Sequence, residues 1–292
     1  NNAGIGSVAE TFAMGRTEIT NSQYTIFLNA VAQTDSFHRL YNTQMQDDIN
    51  GGIIRSGSNQ NDFQYSLKVG MENKSVNFVN IFDAMRFCNW LHNGAHNGSD
   101  TESGAYRLHR EMDENNLKKT RRNPSARVFI PTEDEWHKAA FFEADPADKP
   151  SQSYWNFATN TDTLSPESAV WKASGPQSVG IGSPSSFFTF NQSGNVAEWT
   201  ESIPSYEDSS RVTRGGSWKS INENELSKTN RKLTPLLTET DSLGFRIAFA
   251  YNPLFESPIF RITGNEKPED ISPPVISLYG GNFIELEYGT PY

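Results

Sequence analysis

The sequence predicts an α+β domain on three observations: three short amphipathic helices with recognisable caps, a few short strand-like runs, and a long irregular stretch between them. The first helix is predicted in "TNSQYTIFLNAV". Thr20 followed by Gln23 makes a capping box, and Tyr24, Phe27, Leu28 and Val31 recur at helical spacing. The second lies in "NIFDAMRFCNWLHN", with Asn80 as N-cap and Phe82, Met85, Cys88, Trp90 and Leu91 forming an apolar stripe. The third follows a short strand in "RVFIPTEDEWHKAAFFEA", where Thr132 caps, Glu135 closes the box, and Trp136, Ala139, Ala140 and Phe142 face inward. From Asp145 to Phe190 the chain is rich in Pro, Ser, Thr, Asn and Gly, which reads as a long ordered loop region. Short strands are predicted at "VAEWTES", "RVTRGGSW" and "LGFRIAFA".

Composition bounds the partners. A chain of 292 residues with 35% hydrophobic and 21% charged residues can bury a sizeable core. Its net charge of -10 argues against nucleic acid and anionic membrane surfaces, which need a positive field. The basic run "KKTRR", Lys118 to Arg122, follows acidic "EMDENN" and reads as a solvated loop of mixed charge. No stretch is long and apolar enough to span a bilayer, and no signal peptide is read before Asn1. The start without methionine reads as a processed or trimmed chain, and "GIGSVAE" at Gly4 to Glu10 as a flexible N-terminus. The single Cys88 excludes internal disulfides and multi-cysteine zinc sites, and reads as a buried small hydrophobe.

Six segments, "MGRTEITNSQYTIFLNAV", "VNFVNIFDAMRFCNWL", "FIPTEDEWHKAA", "SGNVAEWTES", "RVTRGGSW" and "LGFRIAF", occur in the order expected of the formylglycine-generating enzyme family, or sulfatase-modifying-factor domain. The resemblance spans residues 10 to 250. It implies a fold related to C-type lectins, with little regular secondary structure and calcium ions pinning the loops. Trp199, Trp218, Phe245 and Arg246 belong to the shared motifs and read as scaffold, with Arg246 holding buried carboxylates or carbonyls.

The resemblance does not carry the chemistry with it. Family oxidases use two cysteines after the Gly-Gly-Ser turn to hold copper(I) and capture a substrate cysteine. Here the aligned positions are Ser220 and Glu225, which lack the soft thiolates both tasks need, so no copper is expected. A carbon–sulfur-bond-forming branch uses iron on three histidines; His92 and His96 are four apart, but "HNGAHNGSD" reads as a loop that separates them. No nucleophile elbow and no phosphate-cradling glycine loop is present.

For structural calcium, the resemblance implies the side chains of Asn191 and Glu198 and the carbonyls of Gly194 and Val196 in "NQSGNVAEW" as ligands. Asn191 stands where family members often carry Asp, which weakens the site. A second implied loop places Asn156, Phe157 and Asp162 in "YWNFATNTDT". The alternative for both loops is an Asx-turn network without an ion.

At the C-terminus "SPPVISLYGGNFIELEYGTPY" alternates apolar and polar residues around "GGN" as two strands joined by a turn. It resembles the opening of immunoglobulin-like repeats on bacterial surface and secreted proteins, with the full chain continuing past Tyr292. The expected organisation is a family domain over 1–252, a linker over 253–271 and the start of a truncated surface repeat over 272–292. The functional expectation is a noncatalytic, calcium-pinned binding or structural module, outside the cell or on its surface. Trp218, Ser220, Asn222 and Glu225 line its ligand face. The candidate ligand is a glycan, peptide or protein; a second copy of the chain is a further candidate partner. The alternatives are an enzyme of this family with a rebuilt metal or oxidase site, and a partner-binding domain that diversifies its surface over Lys219 to Asp241.

Overall fold

The computed structural model describes residues 5–34, 38–58, 62–108, 114–143, 148, 154–205 and 209–250, and two strands near the C-terminus. The helices are α1 (Asn21–Val31), α2 (Gln44–Asp47), α3 (Ile81–His92), α4 (Glu114–Leu117) and α5 (Glu133–Phe141), with a 3-10 turn at Glu223–Leu226. The strands are β1 (Phe12–Met14), β2 (Ile53–Ser56), β3 (Gln64–Leu67), β4 (Val128–Phe129), β5 (Ala197–Trp199), β6 (Ser210–Arg214), β7 (Lys232–Pro235), β8 (Leu243–Gly244), β9 (Ala248–Ala250), β10 (Val275–Ser277) and β11 (Phe283–Glu285).

The capping signals fold as read. Thr20 with Gln23, Asn80 with Asp83, and Thr132 with Glu135 each close a reciprocal capping box, which satisfies two orphan amides at each helix start. In α5 it is Phe141 that is fully buried, while Phe142 caps the helix half-exposed. The apolar faces of α1 and α3 meet in an aromatic core: Phe27 stands edge-on to Phe87 at 5.3 Å and packs on Trp90 at 5.5 Å. Cys88 is buried within this core, as its helical position predicts.

Two small sheets frame that core. One has the order β1-β9-β4 and the other β7-β6-β5-β8, while β2 pairs with β3 as a hairpin. The segment "LGFRIAFA" does not form one strand. Its first residues pair in parallel with β5 and its last pair antiparallel with β1, so Phe245, Arg246 and Ile247 cross between the sheets. β1 and the β2–β3 hairpin have no counterpart among the strands read from sequence. The N-terminal stretch also differs from expectation: Gly6 donates its amide to Asp134 Oδ1 at 2.8 Å and accepts from the Tyr154 hydroxyl, so it is pinned from residue 6 onward; Gly4 lies outside the described residues. Between Phe142 and Ala197 the described chain has no helix or strand beyond isolated bridges. β10 and β11 pair antiparallel, Ile276 opposite Ile284; the turn between them and the 253–271 linker lie outside the described residues.

Candidate functional site

β6 ends in a turn that only glycines tolerate. Gly215 and Gly216 have φ of 98° and 67°, and a Cβ on Gly216 would lie 2.6 Å from Glu225 O. Beyond it, Ser220 Oγ accepts the Ser217 amide at 3.1 Å, closing the turn, and Ser220 is only 3% exposed. Trp218 donates its amide to Asn195 O at 2.7 Å and its indole to Asp241 O at 3.3 Å. Lys219 Nζ lies 5.0 Å from the Trp218 ring centre and 2.6 Å from Asp241 Oδ1. Asn222 then caps the 3-10 turn, its side chain accepting from Asn224 N while Glu225 Oε1 accepts from Asn222 N.

The four residues expected on a ligand face are thus brought together but spent unequally. Ser220 points into the turn, Trp218 is largely covered, and Asn222 and Glu225 bracket each other at the rim. What the surface presents instead is Ile221 at 76% exposure beside Lys219, and Leu237 at 73% on the segment before Asp241. Ile49 is exposed beside Asn50, whose side chain reaches Asp241. Exposed aliphatics on irregular loops leave no periodic signal, so sequence reading passed over them.

The loop from Phe190 to Glu198 is the implied first calcium site. Asn191 Oδ1 accepts the Gly180 amide at 2.8 Å and its Nδ2 donates to Ile181 O at 3.0 Å. Glu198 is wholly buried: Oε2 accepts from Trp136 Nε1 at 2.7 Å and Arg246 Nε at 2.6 Å, and Oε1 accepts from Arg246 Nη2 at 2.7 Å. The remaining Arg246 hydrogens go to the carbonyls of Gly15, Arg16 and Phe190. Arg246 therefore holds a buried carboxylate and three carbonyls, as its place in the motif predicts. The positive charge facing Glu198 is a guanidinium, so the side-chain half of the implied donor set is engaged by protein partners. In the second loop, Asp162 Oδ1 accepts the Asn156 amide at 2.9 Å, Phe157 N donates to Thr161 O, and Asn156 O accepts Lys228 N. Asp162 thus closes the loop backwards across six residues, which is not an Asx-turn. Chelation with EDTA is expected to leave Tm unchanged to within about a degree if these protein donors, rather than a cation, hold the two loops. A fall of several degrees, reversed by calcium, would show an ion displacing these donors.

Two further carboxylate networks tie the elements together. Glu133 Oε1 accepts from Arg214 Nε at 2.8 Å and, with Oε2, from Arg231 Nε at 2.9 Å, joining α5 to β6. Glu201 takes Arg122 Nε at 3.1 Å and the Tyr106 hydroxyl at 2.7 Å, while Arg122 Nη2 reaches Glu135 at 2.6 Å. "KKTRR" is therefore not simply solvated: Arg122 is three-quarters covered, because two buried carboxylates need its charge. Burial pushes the Glu201 carboxyl from 4.5 up to about 7, against the pull of Arg122. Of the histidine pair, His92 ends α3 with Nδ1 accepting Arg127 N, and His96 lies in the loop beyond. Among the described residues no three His, Cys, Asp or Glu form a metal-holding group. Nor is any described helix long and apolar enough to cross a membrane.

The mixed fold of short elements is thus arranged around a glycine turn and an arginine-locked loop. The model of the sulfatase-modifying factor enzyme 1-like domain matches residues 6–251, and the chain belongs to that family. Two solved structures share the fold. Treponema denticola variable protein 1 superposes with a TM-score of 0.55 at 20% identity, covering 82% of this chain and 84% of that one. CarF gives 0.57 at 21% identity, covering 82% and 87%. No curated protein sequence matches the chain.

Proposed function

We propose that this domain is a binding or structural module on the sulfatase-modifying-factor scaffold rather than a catalyst, and that it works outside the cytoplasm. One observation carries the first half. The two positions aligned with the oxidase cysteines are Ser220 and Glu225, and each has a structural task, one closing the turn and the other the 3-10 cap. Neither offers a soft ligand for copper(I). Cys88 is buried in the α3 core with its thiol pushed well up by burial, which keeps it from serving as a thiolate.

The face around Lys219, Ile221 and Asn222 supports a polypeptide ligand over a glycan. It offers an exposed aliphatic among amides and ammonium groups, while Trp218 is only 8% exposed and the neighbouring Trp171 ring is covered by Lys172. The antiparallel β10–β11 pair beyond the family domain motivates the extracytoplasmic setting, as the opening of a surface repeat.

Incubation with copper, oxygen and a sulfatase-type cysteine peptide is expected to yield no formylglycine. In the same preparation, fractionation of cells making the full chain is expected to place it at the surface or in the medium. Aldehyde product above a no-protein control would overturn the noncatalytic reading; a pool confined to the soluble cytoplasm would overturn the location.

A further inference from the structure

The four-stranded sheet β7-β6-β5-β8 ends on β7, and that edge is open. Val212 in β6 spends both backbone groups on the far side, accepting from Thr200 N at 3.0 Å and donating to Ser202 O at 3.2 Å. Its neighbours Arg211 and Thr213 therefore face β7, opposite Thr234 and Lys232, and Leu236 N keeps the same phase by donating to Ser209 O at 3.2 Å. That alternation turns the N–H and C=O of Leu233 away from the sheet and, one step further along, those of Arg231. The backbone groups of these two residues make no hydrogen bond among the described residues. Leu233 is 50% exposed. Beyond it the edge closes, because Pro235 has no N–H and its carbonyl accepts Thr238 N at 3.0 Å.

The edge is also cationic. Arg231 Nε and Arg214 Nη2 reach the same carboxylate, Glu133, at 2.9 and 2.5 Å, so one acid serves two guanidinium groups. Lys232 is exposed on the opposite face of the strand and has no ion pair among the described residues. We propose that this edge takes up a strand from a partner, an extended acidic peptide that adds antiparallel to β7 and exchanges hydrogen bonds with Leu233 and Arg231. An apolar residue opposite Leu233 covers its side chain, and the next residue, on the other face, sets a carboxylate beside Lys232. A second copy of the chain is the poorer occupant. Two β7 strands paired about Leu233 would set Arg231 against Pro235, which has no donor to give; paired about Lys232, they would set two ammonium groups directly opposite. Lysine and proline on an edge strand work against self-pairing in this way. The surface uses none of Lys219, Ile221 and Asn222, so it stands apart from the face assigned above.

The probes are two acetylated and amidated peptides, Val-Glu-Val-Glu-Val and Val-Lys-Val-Lys-Val, titrated into the whole 15N-labelled chain. The acidic peptide is expected to shift the amide resonances of Leu233 and Arg231 and to slow hydrogen exchange at Leu233. The lysine peptide is expected to bind about tenfold more weakly at low salt. Leu233→Pro removes an N–H that β6 does not use, so the fold is expected to stand while acidic-peptide affinity falls by roughly tenfold or more. N-methylating the valines of the acidic peptide is expected to do the same with the protein unaltered, which keeps the test intact should Leu233→Pro not fold. Equal affinity for the two peptides, affinity unmoved by N-methylation, or no shift at millimolar peptide would each overturn the proposal. So would a concentration-dependent dimer abolished by Leu233→Pro, because a second copy would then hold the edge. Shifts confined to Lys219, Ile221 and Asn222 would overturn the edge as the binding surface and leave the function proposed above standing.

Discussion

Arg246→Met is expected to lose on the order of 3–5 kcal/mol of stability, a large share of a domain's usual margin of about 5–15 kcal/mol. The substitution keeps the bulk of the side chain but strips Glu198, itself 0% exposed, of two of its three donors, and removes the Arg246 donors to the carbonyls of Gly15 and Phe190, while Arg16 O keeps the Phe190 amide. The damage comes from the stranded carboxylate rather than from any large net gain of the intact pair, so removing the charge at both ends should hurt less. The double variant Arg246→Met with Glu198→Gln is accordingly expected to recover part of the loss in urea denaturation. A single variant with an unchanged urea midpoint would show that the pair carries no weight.

Gly194→Ala is expected to cost about 3 kcal/mol or more, although it adds one methyl group. Gly194 has φ of 115°, and a Cβ there would lie 2.4 Å from the backbone oxygen of Val170, an atom that cannot swing aside. The same oxygen accepts the Asn195 amide at 2.8 Å, so relieving the clash drags Asn195 away from Glu18 and from Trp218 N. Gly180→Ala is the control. Its φ is 81°, but nothing lies within 4 Å of the added Cβ, which leaves only the conformational cost of roughly 1–2 kcal/mol. Equal loss of Tm in the two variants would remove the steric argument.

Local signals in the sequence were sufficient where the physics is local. Thr20, Asn80 and Thr132 could be read as caps because the box closes within three residues. The place of Arg246 among buried acceptors followed from its motif. β1 was missed because three residues with no alternation carry no period, and β2–β3 because the polar run between its strands reads as plain loop. The candidate site was legible as a location but not as a surface. Nothing near Ser220 in the chain says that its hydroxyl turns inward to Ser217, or that Ile221 turns outward. The partners of the buried carboxylates are further off still: Glu201 meets Tyr106 across 95 positions, and Glu198 meets Arg246 across 48. A composition-based reading prices such groups as solvated, which is why "KKTRR" and "GIGSVAE" were misjudged.

The pairing of β1 with β9 sets Phe12 opposite Ala250, so the family domain begins and ends on adjacent strands at one end of a single short ladder. A pull applied through the flanking chain would first release the Gly6 bonds to Asp134 and Tyr154 and then load the ladder bonds one after another from that end, instead of shearing them together. Tethered on both sides, the domain would yield first at this seam, while the aromatic core between α1 and α3 stayed folded. The same closeness lets the domain be inserted into another chain, or its ends be joined and reopened elsewhere, without stretching the core.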